Sequence, residues 1–255
     1  MQLNFRRQGQ GRAVILIHGL FGSLDNLNGL NRALTEQFDV IAVDVRNHGL
    51  SARSERMDYA AMAADILELA DRLELERPAL VGHSMGGKIA MMTAGLAPER
   101  IRALVVADIA PVAYTQARHE QVFQGLQAVI DAGSQSRKEA DELLGRHVDT
   151  AGVRQFLLKS FVPNSDSPWR FNVAALAANY RTIMGWPGVV QPYAGATLFL
   201  KGSESDYLLP EYQARVRQQF PAAGAKVIQG AGHWLHAEKP QIFNRLVLDF
   251  LTEVG

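Results

Sequence analysis

The chain contains no cysteine. That absence excludes a disulfide-stapled scaffold, cysteine-ligated zinc, iron–sulfur clusters and a thiolate nucleophile. It also lacks an excess of either charge, because 26 Lys and Arg residues balance 26 Asp and Glu residues. A strongly basic nucleic-acid binder and a polyanionic tail are therefore disfavoured, and no nucleic-acid partner is expected. No apolar run approaches the roughly 20 residues that cross a bilayer, so no membrane span is expected. The opening residues, Met1-Gln2-Leu3-Asn4-Phe5-Arg6-Arg7-Gln8, lack the apolar core of a signal peptide. These readings point to a cytoplasmic protein. Internal repeats and low-complexity segments are missing as well. What remains is 255 residues, 47% of them hydrophobic. That suffices for one large domain, or for a domain with a modest insertion.

Short apolar runs alternate with helical patterns. Residues 13–17, 40–43, 79–81, 103–107 and 197–200 are continuous and rich in Val, Ile and Leu, as in parallel strands buried on both faces. Residues 226–228 form a weaker sixth run, and 3–6 a candidate edge strand. Tyr59, Met62, Ala63, Ile66, Ala70 and Leu73 recur at helical spacing behind Asp58, a suitable N-cap. Ile242, Phe243, Leu246, Val247, Phe250 and Leu251 repeat the pattern behind Pro240. The alternation implies an α/β fold with a mostly parallel central sheet flanked by helices. From 111 to 188 the rhythm breaks, with helical patterns and no convincing strand. This segment reads as a helical cap subdomain inserted between two strands, leaving 1–110 and 189–255 as the core. Phe161, Trp169, Phe171, Tyr180 and Trp186 fall in it, and aromatics at such spacing more often pack than bind.

Gly82-His83-Ser84-Met85-Gly86 carries the strongest chemical signal. It fits G-x-S-x-G between an apolar run and a helical pattern, the sharp strand-to-helix turn that exposes a nucleophilic serine. Gly82 and Gly86 remove side chains that would clash in such a turn. A serine needs a base, and His233 follows the last strand in Gly230-Ala231-Gly232-His233-Trp234-Leu235-His236. His236 is the local rival, read as a surface residue of a helix's first turn. Two backbone N–H groups must meet the developing oxyanion. Met85, directly after the serine, supplies one. Leu20 in His18-Gly19-Leu20-Phe21-Gly22-Ser23 is the candidate for the other, with Phe21 next. His18 is read as structural, and Arg46, Asn47 and His48 as a cluster that knits loops together.

Taken together, His18-Gly19, Asp44-Val45-Arg46-Asn47-His48-Gly49-Leu50-Ser51, the serine motif, and Gly232-His233 with Glu238 and Pro240 resemble the α/β-hydrolase superfamily. The strings H-G-L-F-G-S, R-N-H-G-x-S and G-H-S-M-G-G-K look most like its small bacterial esterases of the YbfF type. Many members of the superfamily place the triad acid in a G-x-x-D string before the final strand–His unit. Here the string is Gly202-Ser203-Glu204-Ser205, with Asp206 one position late. Some members use another strand end instead, where this chain has Asp108. Asp108 is preferred because it closes an all-apolar strand, and a buried carboxylate needs partners. Asp206 is the alternative acid, and Ser205 a supporting residue that would hydrogen-bond the histidine.

The resemblance implies a serine hydrolase that cleaves a carboxylic ester or thioester of a small to medium acyl group through an acyl-enzyme. Its partner is a small-molecule acyl substrate, and neither a cofactor nor a metal is called for. A serine at the elbow argues against the dehalogenase and epoxide-hydrolase branches, which use aspartate there. A carbon–carbon bond hydrolase, a lactonase, a perhydrolase and a non-catalytic ligand receptor remain alternatives.

Overall fold

The computed structural model describes every residue except Ala117 and Gly255. Seven strands form one sheet: β1 (Phe5–Gln8), β2 (Arg12–Ile17), β3 (Phe38–Val43), β4 (Ala79–His83), β5 (Ala103–Ala107), β6 (Ala196–Gly202) and β7 (Ala223–Ile228). Their order is β1-β3-β2-β4-β5-β6-β7. Among the described residues of this sheet, only the β1–β3 pair is antiparallel, and the other pairs are parallel.

The continuous apolar runs follow from burial on both faces. Successive strand side chains alternate between faces. Ile15, Ile17, Ile41, Leu80, Leu104 and Val106 join one core. Val14, Leu16, Val40, Val81 and Val105 join the other. The first core packs against α2 (Tyr59–Arg72) and α3 (Met85–Leu96), the second against α1 (Asn28–Leu34) and α11 (Pro240–Glu253). α2 starts where the Asp58 side chain accepts from the Ala61 N–H at 2.8 Å. Pro240 occupies the first turn of α11, where its missing N–H costs nothing. Two further short α-helices of the core are α9 (Gln213–Gln219) and α10 (Leu235–Glu238).

The edge strand lies two residues later than the apolar pattern suggested. β3 ends at Val43, whose partner is Phe5. Ahead of Phe5 one more backbone bond, from the Asp44 N–H to Asn4 O at 2.9 Å, follows before regular pairing ends: Leu3 is buried in the core, and the Asn4 side chain donates to Asp44 at 2.7 Å. Between β5 and β6 the described residues form five helices, α4 (Glu120–Asp131), α5 (Arg137–Leu144), α6 (Ala151–Leu158), α7 (Val173–Ala178) and α8 (Tyr180–Met184). Among the described residues their only strand-like feature is the isolated Phe161–Trp169 bridge. Trp169 and Phe171 stack at 11° in the interior of this region, so these aromatics pack. No helix among the described residues is long and apolar enough to cross a membrane.

Candidate active site

The carboxyl ends of β2, β4, β5, β6 and β7 converge on one edge of the sheet, where open α/β sheets present their ligand sites. β4 stops at His83 and α3 starts at Met85, so Ser84 makes the whole turn. Its φ of 54° and ψ of −121° are strained for a residue with a side chain. The flanking glycines allow the turn: a Cβ on Gly82 would lie 2.2 Å from the Gly86 carbonyl oxygen, and one on Gly86 2.2 Å from that of Ile17. The Ser84 N–H donates to Ala107 O at 2.9 Å and ties the turn to the neighbouring strand.

Three sequence candidates meet in one hydrogen-bonded chain. His233 Nε2 lies 2.9 Å from Ser84 Oγ, and His233 Nδ1 lies 2.7 Å from Asp108 Oδ2. A carboxylate can only accept, so Nδ1 carries the ring proton and Nε2 is free to accept from the serine. Asp108 is fully buried. Its Oδ1 accepts from the Gly202 N–H at 3.0 Å, and Oδ2 also accepts from the Ser205 hydroxyl. Ser205 thus reaches the carboxylate rather than the imidazole, whose single Nδ1 proton is already directed at Asp108. Asp206 points elsewhere. Its side chain is 62% exposed and accepts from Arg118 Nη1 at 2.6 Å.

The loop that carries His233 is braced from both sides. Glu238 accepts from the Gly232 N–H at 2.7 Å and the Trp234 N–H at 3.2 Å. His83 Nε2 donates to the His233 carbonyl at 2.8 Å. Burial holds the His83 ring neutral, well below the usual histidine range.

Among the described residues, neither the Leu20 nor the Met85 N–H has a hydrogen-bond partner within the chain. The Phe21 N–H is already committed to His48 Nε2 at 3.2 Å. His48 can accept because burial pushes its pKa down to about 3, leaving the ring neutral. His18 Nε2 accepts from the Val45 N–H at 3.0 Å, and burial lowers its pKa too. Arg46 spans Asp65 with two bonds of 2.7 and 2.9 Å, while Asn47 exchanges two bonds of 2.9 Å with Ser54. These groups order the loops beneath the site.

A cavity of about 380 Å³ opens over Ser84 and His233. Val122 of α4, Phe156 of α6 and Ile183 of α8 line it together with Ile109 from the sheet edge. Several polar lining residues escaped the sequence reading. Lys88 is buried four positions after Ser84 and donates to the carbonyls of Met184 at 3.1 Å and Gly185 at 2.8 Å. Burial pushes its pKa down to about 7. The signal for it was a lone charge in the apolar stretch from Met85 to Leu96. Arg118, His119 and Tyr207 also line the cavity. His236 does as well, rather than sitting on the surface, and burial lowers its pKa to about 4.

Comparison with known proteins agrees with this architecture. The chain is 43% identical to esterase YbfF of Escherichia coli, over 99% of this chain and all of that protein. It is 41% identical to the sn-1-specific diacylglycerol lipase ABHD11 of Mus musculus, over 94% of this chain and 81% of that one. A solved marine microorganism esterase superposes with a TM-score of 0.93 at 36% identity, covering 98% of this chain and 99% of that one. The family described as alpha/beta hydrolase fold matches residues 12–240, and the chain belongs to it.

Proposed function

We propose that the protein is a serine hydrolase that cleaves carboxylic esters or thioesters of small to medium acyl groups. The observation that carries this reading is the unbroken chain from Ser84 Oγ through His233 to buried Asp108, beside two unused backbone N–H groups. Ser84 attacks the acyl carbonyl while His233 Nε2 takes its proton. Asp108 holds the imidazole in the required tautomer and stabilises its cation. The Leu20 and Met85 N–H groups receive the oxyanion. His233 then protonates the leaving alcohol or thiol, and the acyl-enzyme forms. Water activated by the same nitrogen attacks the acyl carbonyl, and Ser84 departs with its proton restored. Helices α4 to α8, within 111–188, act as a cap subdomain whose apolar residues hold the acyl chain. The esterase names of the Escherichia coli and marine relatives support ester cleavage, and the cavity volume suits a modest acyl group.

A chain-length series of p-nitrophenyl esters and acyl thioesters tests the reading. Ser84→Ala should lower kcat by on the order of 10⁶, and a fluorophosphonate should label Ser84 alone. Near-normal turnover by the variant, or labelling at another serine, would end the proposal.

A further inference from the structure

Three consecutive side chains in the segment after β6 take separate partners. Ser205 donates to Asp108, and Asp206 accepts from Arg118. Tyr207 lies flat on His233, with ring centroids 3.9 Å apart and planes 21° from parallel. We infer that Tyr207 is a positioning residue for the catalytic histidine, holding the imidazole plane in line with Ser84 and Asp108 by face-to-face contact. This rests on the proposal that His233 is the general base.

The imidazole makes two in-plane hydrogen bonds, through Nδ1 and Nε2. Those bonds fix two points on the ring edge and leave it able to rock about the line between them. Histidine χ2 is a broad, soft torsion, so the side chain itself opposes such rocking weakly. A flat aromatic wall blocks the tilt but permits sliding within the plane. Catalysis needs that combination. Once protonated, Nε2 must shift its bond from Ser84 Oγ to the leaving group without losing the bond from Nδ1 to Asp108.

Tyr207 is held firmly enough for this task. Its carbonyl accepts from the Tyr114 hydroxyl at 2.5 Å, and its N–H donates to Ser205 Oγ at 3.3 Å. The Arg118 guanidinium carbon lies 4.4 Å from its ring centroid. Asp206 in turn fixes Arg118. The carboxylate one position past the expected acid slot therefore serves the wall behind the histidine and not the histidine itself. Burial raises the Tyr207 phenol to about 12, so it brings no charge to the site.

Tyr207→Phe, Tyr207→Leu and Tyr207→Met separate the flat face from the hydroxyl and from simple bulk. Phe should keep kcat for p-nitrophenyl acetate and the rate of fluorophosphonate labelling close to wild type. Leu should lower both by about 10- to 100-fold, the scale of a misaligned catalytic group, with KM for this short ester little changed. Met, which fills space without a flat face, should behave like Leu and decides the question if Leu fails to fold. Wild-type rates in folded Leu or Met protein, or equal damage from Phe, would overturn the role of Tyr207. Failure of the wild-type Ser84 to label would instead remove the general-base reading beneath it.

Discussion

At the scale of single residues, the two carboxylates near the site differ in what their oxygens do. Asp108 is fully buried, and its oxygens take a backbone N–H, a hydroxyl and the imidazole N–H. An asparagine there would replace one acceptor with an NH₂ donor, which cannot accept the Nδ1 proton and favours the wrong tautomer. Loss of this function cost about 10⁴ in kcat in the serine-protease case. Asp108→Asn should therefore lower kcat at least about 10²-fold. Asp206→Asn removes an exposed partner of Arg118 and should cost less than about 10-fold, in line with the small worth of exposed ion pairs. Kinetics on both variants, with folding verified by circular dichroism, check the pair. The reverse order of damage would make Asp206 the acid. The control matters because a buried amide with mismatched partners also lowers stability.

At the scale of elements, the β4–Ser84–α3 unit owes its shape to close backbone approaches that only glycine permits. Gly86 would bring a Cβ to 2.2 Å from a carbonyl of the adjacent strand β2, which cannot move without breaking the sheet. Gly152, in the first turn of α6, meets nothing within 4 Å. Gly86→Ala should destabilise the fold by more than about 3 kcal/mol or prevent it from forming. Gly152→Ala should stabilise it by up to about 1 kcal/mol, the ordinary helix preference. Urea denaturation of both proteins tests the contrast, and an unaffected Gly86→Ala would mean that the elbow is less tightly packed than described. The elbow was legible in the sequence because its constraint is local: five residues between an apolar run and a helical pattern specify it. Asp108 was legible for a related reason, being a charge that ends an apolar strand. Tyr207, Arg118 and Lys88 were not. Their roles depend on partners as distant as His233, Asp206 and the carbonyls that end α8, and no local periodicity records such pairings. The β1 boundary slipped because the end of a ladder is set by the length of the partner strand, here β3.

At the scale of the whole molecule, the sheet edge and the helices above it enclose several histidines that folding keeps neutral. Burial pushes His48 down to about 3, His119 and His236 to about 4, and His83 well below its usual range. In the unfolded chain these rings titrate near about 6.5. Between that value and the folded pKa values, the unfolded state binds more protons than the folded one. Stability then rises with pH across this window and is lost as pH falls through it. For fully buried His48 alone the loss at pH 5 is on the order of 2 kcal/mol. Lys88 acts in the same direction in a higher window. Its folded pKa is lowered to about 7, whereas an unfolded lysine titrates near about 10.4, so stability again rises with pH between the two. The melting temperature should accordingly decline steadily from pH 7.5 to pH 4.5, well before most carboxylates are protonated. Differential scanning calorimetry across that range measures the slope. A His48→Gln variant, which can still accept the Phe21 N–H through its side-chain oxygen, should show a shallower decline than the native chain. A melting temperature that stays level or climbs toward pH 5 would mean that these rings take up protons in the folded state. The neutral acceptor that holds the Phe21 N–H, and with it the loop carrying Leu20, would then be lost in mild acid.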